Sequence, residues 1–298
     1  MIKYCGFRYD HLTNIGDQIQ SLAVEQFLPG LDIRINRDSL SKFQEKEQHL
    51  LVMNGWFSHT PNLCFPVHEP VCALFWGFHV TDWNNTWEYV LRPESIAYLK
   101  RHEPIGCRDL TTMECFRESG INAFYSKCLT LTFPKRASEP KDGWNILVDA
   151  QHLPIPNHIL KESISVSHKV PNNLPEKVKF IYARYLLNLY KENAKLVITT
   201  RLHCALPCIA MGIPVVFFGD ESDYRISLLK DMGLKINHIT IKNKTSYASE
   251  IEKDEKFDSM VFQKNVNWNA KPLDFEKEKS EMIKTFKQLL AAKANLIL

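Results

Sequence analysis

Along this chain short unbroken apolar runs recur, each followed by a polar turn and then by apolar residues spaced three or four apart. Apolar runs without alternation mark strands buried on both faces, and the three-to-four spacing marks amphipathic helices that cover them. Residues 2–7 read as the first strand. After the polar loop RYDHLTNIGD, Ile19, Leu22, Ala23, Gln26 and Phe27 share one side of a helix. Residues 32–37 suit an edge strand, and residues 49–57 (HLLVMNGWF) and 71–80 (VCALFWGFHV) suit buried ones. A helix over 93–102, a strand ending at Arg108, a helix over 111–119 closed by Gly120, and a strand over 123–133 complete this first series.

Residues 134–143 (PKRASEPKDG) have no apolar periodicity and carry two prolines, as an interdomain linker does. Beyond them the alternation restarts with the strands WNILVD and ISVSHKV and a helix over 175–193. The fold class expected is therefore α/β, with one domain over residues 1–137 and a second over 138–274. A helix over 275–298 follows, and its stripe of Lys279, Met282, Ile283, Phe286, Leu289 and Leu290 needs a surface, expected on the first domain.

The second series centres on KLVITTRLHCALPCIAMGIPVVFFGD, residues 195–220. It reads as a strand over 196–200, a turn carrying Arg201 and His203, a helix over about 204–211, and a strand over 214–218. Pro207 fits without loss only in a helix's first turn, so the helix is expected to begin close to it. Arg201 and His203 then stand at a strand's carboxyl end against a helix N-terminus, where open α/β sheets place ligands and free N–H groups favour anions. A permanent cation, an imidazole and a helix N-terminus together make an anion site with a proton donor; the structural alternative is a surface ion pair.

Other positions carry chemistry less directly. Asn14, Gly16 and Asp17 occupy the first strand-to-helix turn, where Asp17 suits capping of the helix or acceptance of a sugar hydroxyl. Asn54 and Trp56 end the run over 49–57, and His59, His68, His79, Trp83, Asn84, Asn85 and Trp87 lie around the next one. Aromatics beside amides suit sugar binding, while Trp56 and Trp76 suit core packing equally well. His168, after a strand of the second series, is expected at the surface, with a cleft-facing position as the alternative. Asp220 and Asp223, three apart, are explained by capping of the following helix by Ser222 or Asp223 better than by a metal pair, and Arg225 in the first turn of that helix needs an acid or a cleft to face.

With 298 residues, 45% hydrophobic and 24% charged, the composition is that of a globular protein large enough for two cores. Lys plus Arg number 37 against 34 Asp plus Glu, a balance that gives no basis for a nucleic-acid partner. No run approaches the roughly 18 apolar residues of a membrane span, and the N-terminus lacks signal-peptide character. The eight cysteines are scattered without a C-x-x-C, which points to a reduced cytoplasmic compartment. Cys204 and Cys208 share a helix face, but further ligands for a metal are missing, and no phosphate-cradling G-x-x-x-x-G-K or dinucleotide G-x-G-x-x-G occurs.

Four separated motifs, in order, carry a resemblance. Asn14-Ile15-Gly16-Asp17 opens a helix. Arg108-Asp109 lies between a strand and a helix, followed by Gly120-Ile121 and by Ser126 leading into Leu129-Thr130-Leu131. Arg201-Leu202-His203 precedes Ala205, Gly212 and Pro214, with Cys204 where glycine is usual. Trp268 to Asp274 reads WNAKPLD. Together they resemble the polysaccharide pyruvyl transferase family. The resemblance implies two facing Rossmann-like domains, similar to B-type glycosyltransferases, with the acceptor on the first domain and the donor on the second. It implies transfer of the enolpyruvyl carbons of phosphoenolpyruvate to two hydroxyls of a sugar or polysaccharide, free or lipid-linked, forming a ketal and releasing phosphate. A lipid-linked acceptor would bring the protein to the inner face of a membrane. Arg201 would hold the donor's anionic groups with the Leu202 backbone, Arg108 would be a second clamp, and His203 the general acid. Asn14, Asp17, Asn54 and Trp56 would be acceptor or cleft residues, and neither metal nor cofactor is required. A B-type glycosyltransferase using a nucleotide sugar and a non-catalytic carbohydrate-binding relative are the alternatives.

Overall fold

The computed structural model describes residues 2–10, 12–68, 71–241, 260–262 and 265–296. The strands among them are β1 (Lys3–Arg8), β2 (Ile33–Asn36), β3 (His49–Trp56), β4 (Val71–His79), β5 (Ile105–Cys107), β6 (Ala123–Tyr125), β7 (Trp144–Val148), β8 (Ser163–Val166), β9 (Ala194–Thr199), β10 (Val215–Gly219), β11 (Ile236–Ile241) and β12 (Met260–Phe262). The helices are α1 (Gly16–Glu25), α2 (Pro61–Cys64), α3 (Thr86–Val90), α4 (Pro93–Arg101), α5 (Leu110–Glu118), α6 (Asn157–Leu160), α7 (Glu176–Asn193), α8 (Leu202–Ala210), α9 (Ser227–Asp231) and α10 (Glu276–Asn295).

Two six-stranded sheets form among the described residues, ordered β2-β1-β3-β4-β5-β6 and β12-β11-β10-β9-β7-β8. All pairings are parallel except the antiparallel edge pair β11–β12. Both sheets follow one plan: the second strand lies outside the first, and the third returns to the first strand's other side. The direction of growth therefore reverses beside β1 in one sheet and beside β7 in the other. In open α/β sheets the carboxyl edge at such a reversal is where ligands bind. These are two parallel-stranded, Rossmann-like α/β units.

The first compact unit comprises residues 1–134, 169–186 and 275–298, and the second comprises residues 135–168 and 187–274. Residues 169–186, given to the second domain on sequence, belong with the first because their polar groups are satisfied there. Val170 N–H donates to the Thr13 carbonyl at 2.8 Å, and Lys179, 2% exposed, donates to the Leu12 carbonyl at 2.6 Å. The Glu176 carboxylate accepts from the Tyr9 N–H, and the Arg34 guanidinium lies 3.9 Å from the Phe180 ring centroid. α10 also packs in the first unit, with Phe286 fully buried edge-on against Phe27 and Trp76. Trp76 is thus a core residue. In the second unit Leu147, Leu196, Ile198, Val216 and Phe218 form a core beneath Trp268.

Three local expectations are corrected. The strand expected over 123–133 stops at Tyr125, because Lys127 takes a left-handed φ of 57° and Leu129–Thr132 forms a tight 3-10 turn. Gly77, at φ 63°, makes room for this turn: a Cβ there would lie 2.3 Å from Asn54 Oδ1 and 3.0 Å from the Lys127 carbonyl. α8 begins at Leu202, so Pro207 sits in its interior, with no N–H to offer the His203 carbonyl four residues back. Asp17 does not cap α1; it lies in the first turn and pairs with buried Arg37 at 3.0 Å, while Asn14 Oδ1 accepts from the Gly16 N–H at 2.8 Å. None of the described helices is long and apolar enough to cross a membrane, and all eight cysteines are free.

Candidate functional site

In the second unit the sheet reversal brings the carboxyl ends of β7 and β9 side by side, with Val148 opposite Thr199. Asp149 follows β7 directly and Arg201 follows β9 by two residues, so chain positions 52 apart meet. Arg201 Nε donates to Asp149 Oδ2 at 2.7 Å. Ser167, one residue beyond β8, donates to Asp149 Oδ1 at 2.5 Å, and the His168 N–H reaches Oδ2 at 3.1 Å. Burial would raise the Asp149 carboxyl's pKa, but the Arg201 charge and the Ser167, Arg201 and His168 hydrogen bonds outweigh it and hold the pKa below the ordinary range. Asp149 itself sits at φ 51°, a left-handed backbone that aspartate tolerates better than most residues.

This grip on one nitrogen matters for the rest of the guanidinium. Arg201 is 20% exposed at its side chain, and its terminal Nη atoms have no hydrogen-bond partner among the described residues. Its backbone is anchored as well, the Arg201 N–H donating to Thr199 Oγ1 at 2.9 Å. A guanidinium held at Nε presents its outer edge as a preset fork for a carboxylate or phosphate. Arg201 is also the N-cap of α8, Leu202 and His203 form the first turn, and all three are partly exposed. Cation and helix N-terminus thus share one edge, with His203 in the same first turn and its Nε2 buried.

Beneath that turn α8 is sealed. Cys204 and Cys208 are completely buried, and Cys204 has ordinary helical backbone, so its position does not demand glycine. Burial pushes the Cys204 thiol up, but hydrogen bonds with Cys208, His168 and Thr199 more than reverse this, and the net direction is down. His168, expected at the surface, is fully buried with Nε2 2.9 Å from Tyr190 Oη. Asp220 and Asp223 order their own loop, accepting from the Ser222 and Arg225 N–H groups. Asp223 is also the acid that Arg225 faces, at 2.6 Å. Among the described residues no group of three or more His, Cys, Asp or Glu is placed to hold a metal ion.

The remaining sequence candidates lie in the first unit. Arg108 follows β5 and is 3% exposed. Its neighbour Asp109 caps α5, accepting from Thr112 N–H and Oγ1, and also meets His79 Nδ1 at 2.5 Å. Trp56 ends β3, donates from Nε1 to Thr81 Oγ1 at 3.0 Å, and is partly exposed. Asn54, in contrast, is 1% exposed and spent on backbone: Nδ2 donates to the Gln20 carbonyl, and Oδ1 accepts from the Leu129 N–H at 3.2 Å. Asn54→Ala is therefore expected to cost about 1–3 kcal/mol of stability in a denaturant titration, by leaving that buried N–H unsatisfied.

Asp149 and Ser167 are the site residues that reading the sequence does not single out. Their signal lies in WNILVD and ISVS, whose apolar runs end on an acid and a hydroxyl at the carboxyl edge.

Among curated proteins, none matches the chain. One solved structure with similarity is the crystal structure of "a functional uncharacterized protein KP1_0663" from Klebsiella pneumoniae subsp. pneumoniae NTUH-K2044. It is 13% identical, with a TM-score of 0.48 over 77% of this chain and 88% of that one, too distant to carry an argument. A family model described as polysaccharide pyruvyl transferase matches residues 14–222, a span that runs from the Asn14 turn past the Arg201 edge. On that match the chain belongs to the polysaccharide pyruvyl transferase family.

Proposed function

We propose that the protein transfers the enolpyruvyl carbons of phosphoenolpyruvate to two hydroxyls of a glycan sugar, and that Arg201, Leu202 and His203 form the donor end of the site. The observation that carries this is the Arg201 guanidinium, held at Nε by Asp149 with its outer nitrogens open beside the α8 N-terminus. The donor bears a phosphate and a carboxylate, and a preset fork next to first-turn N–H groups suits either. Asp149 is a positioning residue: it fixes the plane of the fork and balances the charge of Arg201.

The chemistry asks for one proton at carbon. His203 as general acid protonates the enol methylene, which becomes the methyl group and leaves the central carbon electrophilic. One sugar hydroxyl adds to that carbon; the carbon–oxygen bond to phosphate then breaks, and the second hydroxyl closes the ketal. Of the two hydroxyl protons, one balances the methyl carbon through His203 and the other leaves with phosphate. Arg201 and the α8 N-terminus stabilise the charge that gathers on the departing phosphate. The Asn14, Asp17 and Trp56 side of the first unit is assigned to the acceptor.

The test is thermal unfolding with phosphoenolpyruvate and, separately, with UDP, GDP and CMP. At about a hundred times its dissociation constant a ligand adds about 2.7 kcal/mol. Phosphoenolpyruvate is expected to raise the wild-type Tm, and each variant's shift is read against its own ligand-free Tm. The shift should vanish in Arg201→Ala and shrink in Asp149→Asn. A shift with a nucleotide and none with phosphoenolpyruvate would replace this reading by the nucleotide-sugar one.

A further inference from the structure

At the carboxyl edge of the first sheet, β3 and β4 end side by side, with Trp56 opposite His79. The segments leaving these strands place three rings together. Trp56 meets His59 edge-on at 4.9 Å between centroids and Trp83 edge-on at 6.0 Å. Trp83 is 44% exposed, and His59 is exposed beside it. Isolated exposed apolar residues need no explanation, but this one is held in place.

Three contacts hold it. Asn84 and Asn85 both take left-handed backbone, at φ 55° and 53°, a conformation costing on the order of 1–3 kcal/mol per residue and maintained only where surroundings impose it. Asn84 Nδ2 donates to the His59 carbonyl at 2.7 Å and to the Ser58 carbonyl at 3.3 Å, tying one loop to the other. Thr86 Oγ1 donates to the Trp83 carbonyl, closing the turn on the far side. Trp56 is fixed in turn by Thr81. Asp82 and Asn85 flank Trp83 in the chain, both exposed, with side chains that have no hydrogen-bond partner among the described residues.

We infer that Trp83, backed by Trp56 and His59, is a stacking subsite for a pyranose ring of the acceptor glycan. The inference rests on the reading of this protein as one that modifies a glycan. A pyranose has an apolar face of C–H groups and an equatorial rim of hydroxyls. The exposed Trp83 ring matches the face, and Asp82, Asn85 and His59 supply acceptors and donors for the rim. The hydrogen bonds of Asn84 and Thr86 order the turn before any ligand arrives, which lowers the ordering cost of binding. This subsite belongs to the first unit's sheet edge and fixes which sugar is presented rather than reacting with it.

The test omits the donor. Saturation-transfer NMR is recorded on the whole protein with methyl glucoside, galactoside and mannoside and their 2-acetamido forms as probes. At least one is expected to receive saturation, strongest at the C–H protons of one ring face. In Trp83→Ala that binding should weaken about tenfold or more, and in Trp83→Phe most of it should remain. Circular dichroism checks that both variants fold, which exposure of the residue favours. No saturation of any probe by the wild type, or equal saturation in Trp83→Ala, overturns the inference. So does sedimentation showing that Trp83→Ala dissolves a dimer with sugar binding unchanged, which would assign the indole to a protein contact. The donor reading is judged separately by the phosphoenolpyruvate shift in Tm: its failure with sugar binding intact removes the reaction and leaves the subsite.

Discussion

His203→Ala is expected to lower kcat by about 10²–10⁴, the usual contribution of a positioned general acid, while phosphoenolpyruvate still raises the Tm of the variant. The separation follows from the geometry of α8. Arg201, the N-cap, reaches sideways to Asp149 and presents its outer edge, whereas His203 stands two residues on in the first turn. On the proposed reading one residue grips the donor anion and the other supplies a proton, so their losses should appear in different measurements. His203→Gln keeps a similar reach and hydrogen-bonding capacity but has no ionisable proton, and should be as inactive as alanine. Release of phosphate in single-turnover assays, with donor binding followed by thermal shift, makes the distinction. Unchanged turnover in either variant would move the acid elsewhere.

Asp109→Ala is expected to cost about 3–5 kcal/mol of folding stability, because it strands a buried partner and uncaps a helix together. Asp109 and His79 are both fully buried, and the aspartate also accepts two hydrogen bonds from Thr112 at the start of α5. Burial alone would raise the Asp109 pKa; His79, Arg108 and the Thr112 N–H more than offset it, and the net direction is down. A carboxyl lowered in the folded state contributes stability that is present above the unfolded value of about 4 and is lost as pH falls below it. Asp149 is shifted in the same direction and adds to the same trend. Urea titrations at neutral pH and near pH 3 should therefore show a stability loss in acid for the wild type, and a smaller loss in Asp109→Ala. Equal acid sensitivity in the two proteins would assign the effect to other groups.

The Asp109 result bears on how Arg108 is understood. On sequence, the structural alternative to a clamp for Arg108 is an ion pair with Asp109 or Glu114. In the structure Asp109 is spent on His79 and on α5, while Arg108 lies buried at the end of β5 and reaches Asp109 only as a nearby charge. Arg37 answers the same question differently. It is 1% exposed and is balanced by Asp17 and Asp38, which turns Asp17 from a capping residue into the partner of a buried cation.

Much of this protein is legible in its amino-acid sequence. Unbroken apolar runs locate β1, β3, β4, β7, β9 and β10, and three-to-four spacing locates α1, α4, α5, α7 and α10, because both periods are set by the backbone geometry of one segment at a time. The Arg201-Leu202-His203 turn is visible for the same reason: a strand, a polar turn and a helix follow one another over a short stretch of chain. Asp149 is not, although it stands at an equally recognisable strand end. Its meaning depends on β8 lying outside β7 and β9 returning to β7's other side, which brings Asp149 and Arg201 together across 52 residues. The Trp56, His59 and Trp83 cluster likewise exists only because β3 and β4 are neighbours in register. Local sterics decide which segments are strands and helices and which residues end them. Strand order, the partner of each buried charge and the residues that share an edge are decided by packing between segments far apart in the chain, where no local pattern records the outcome.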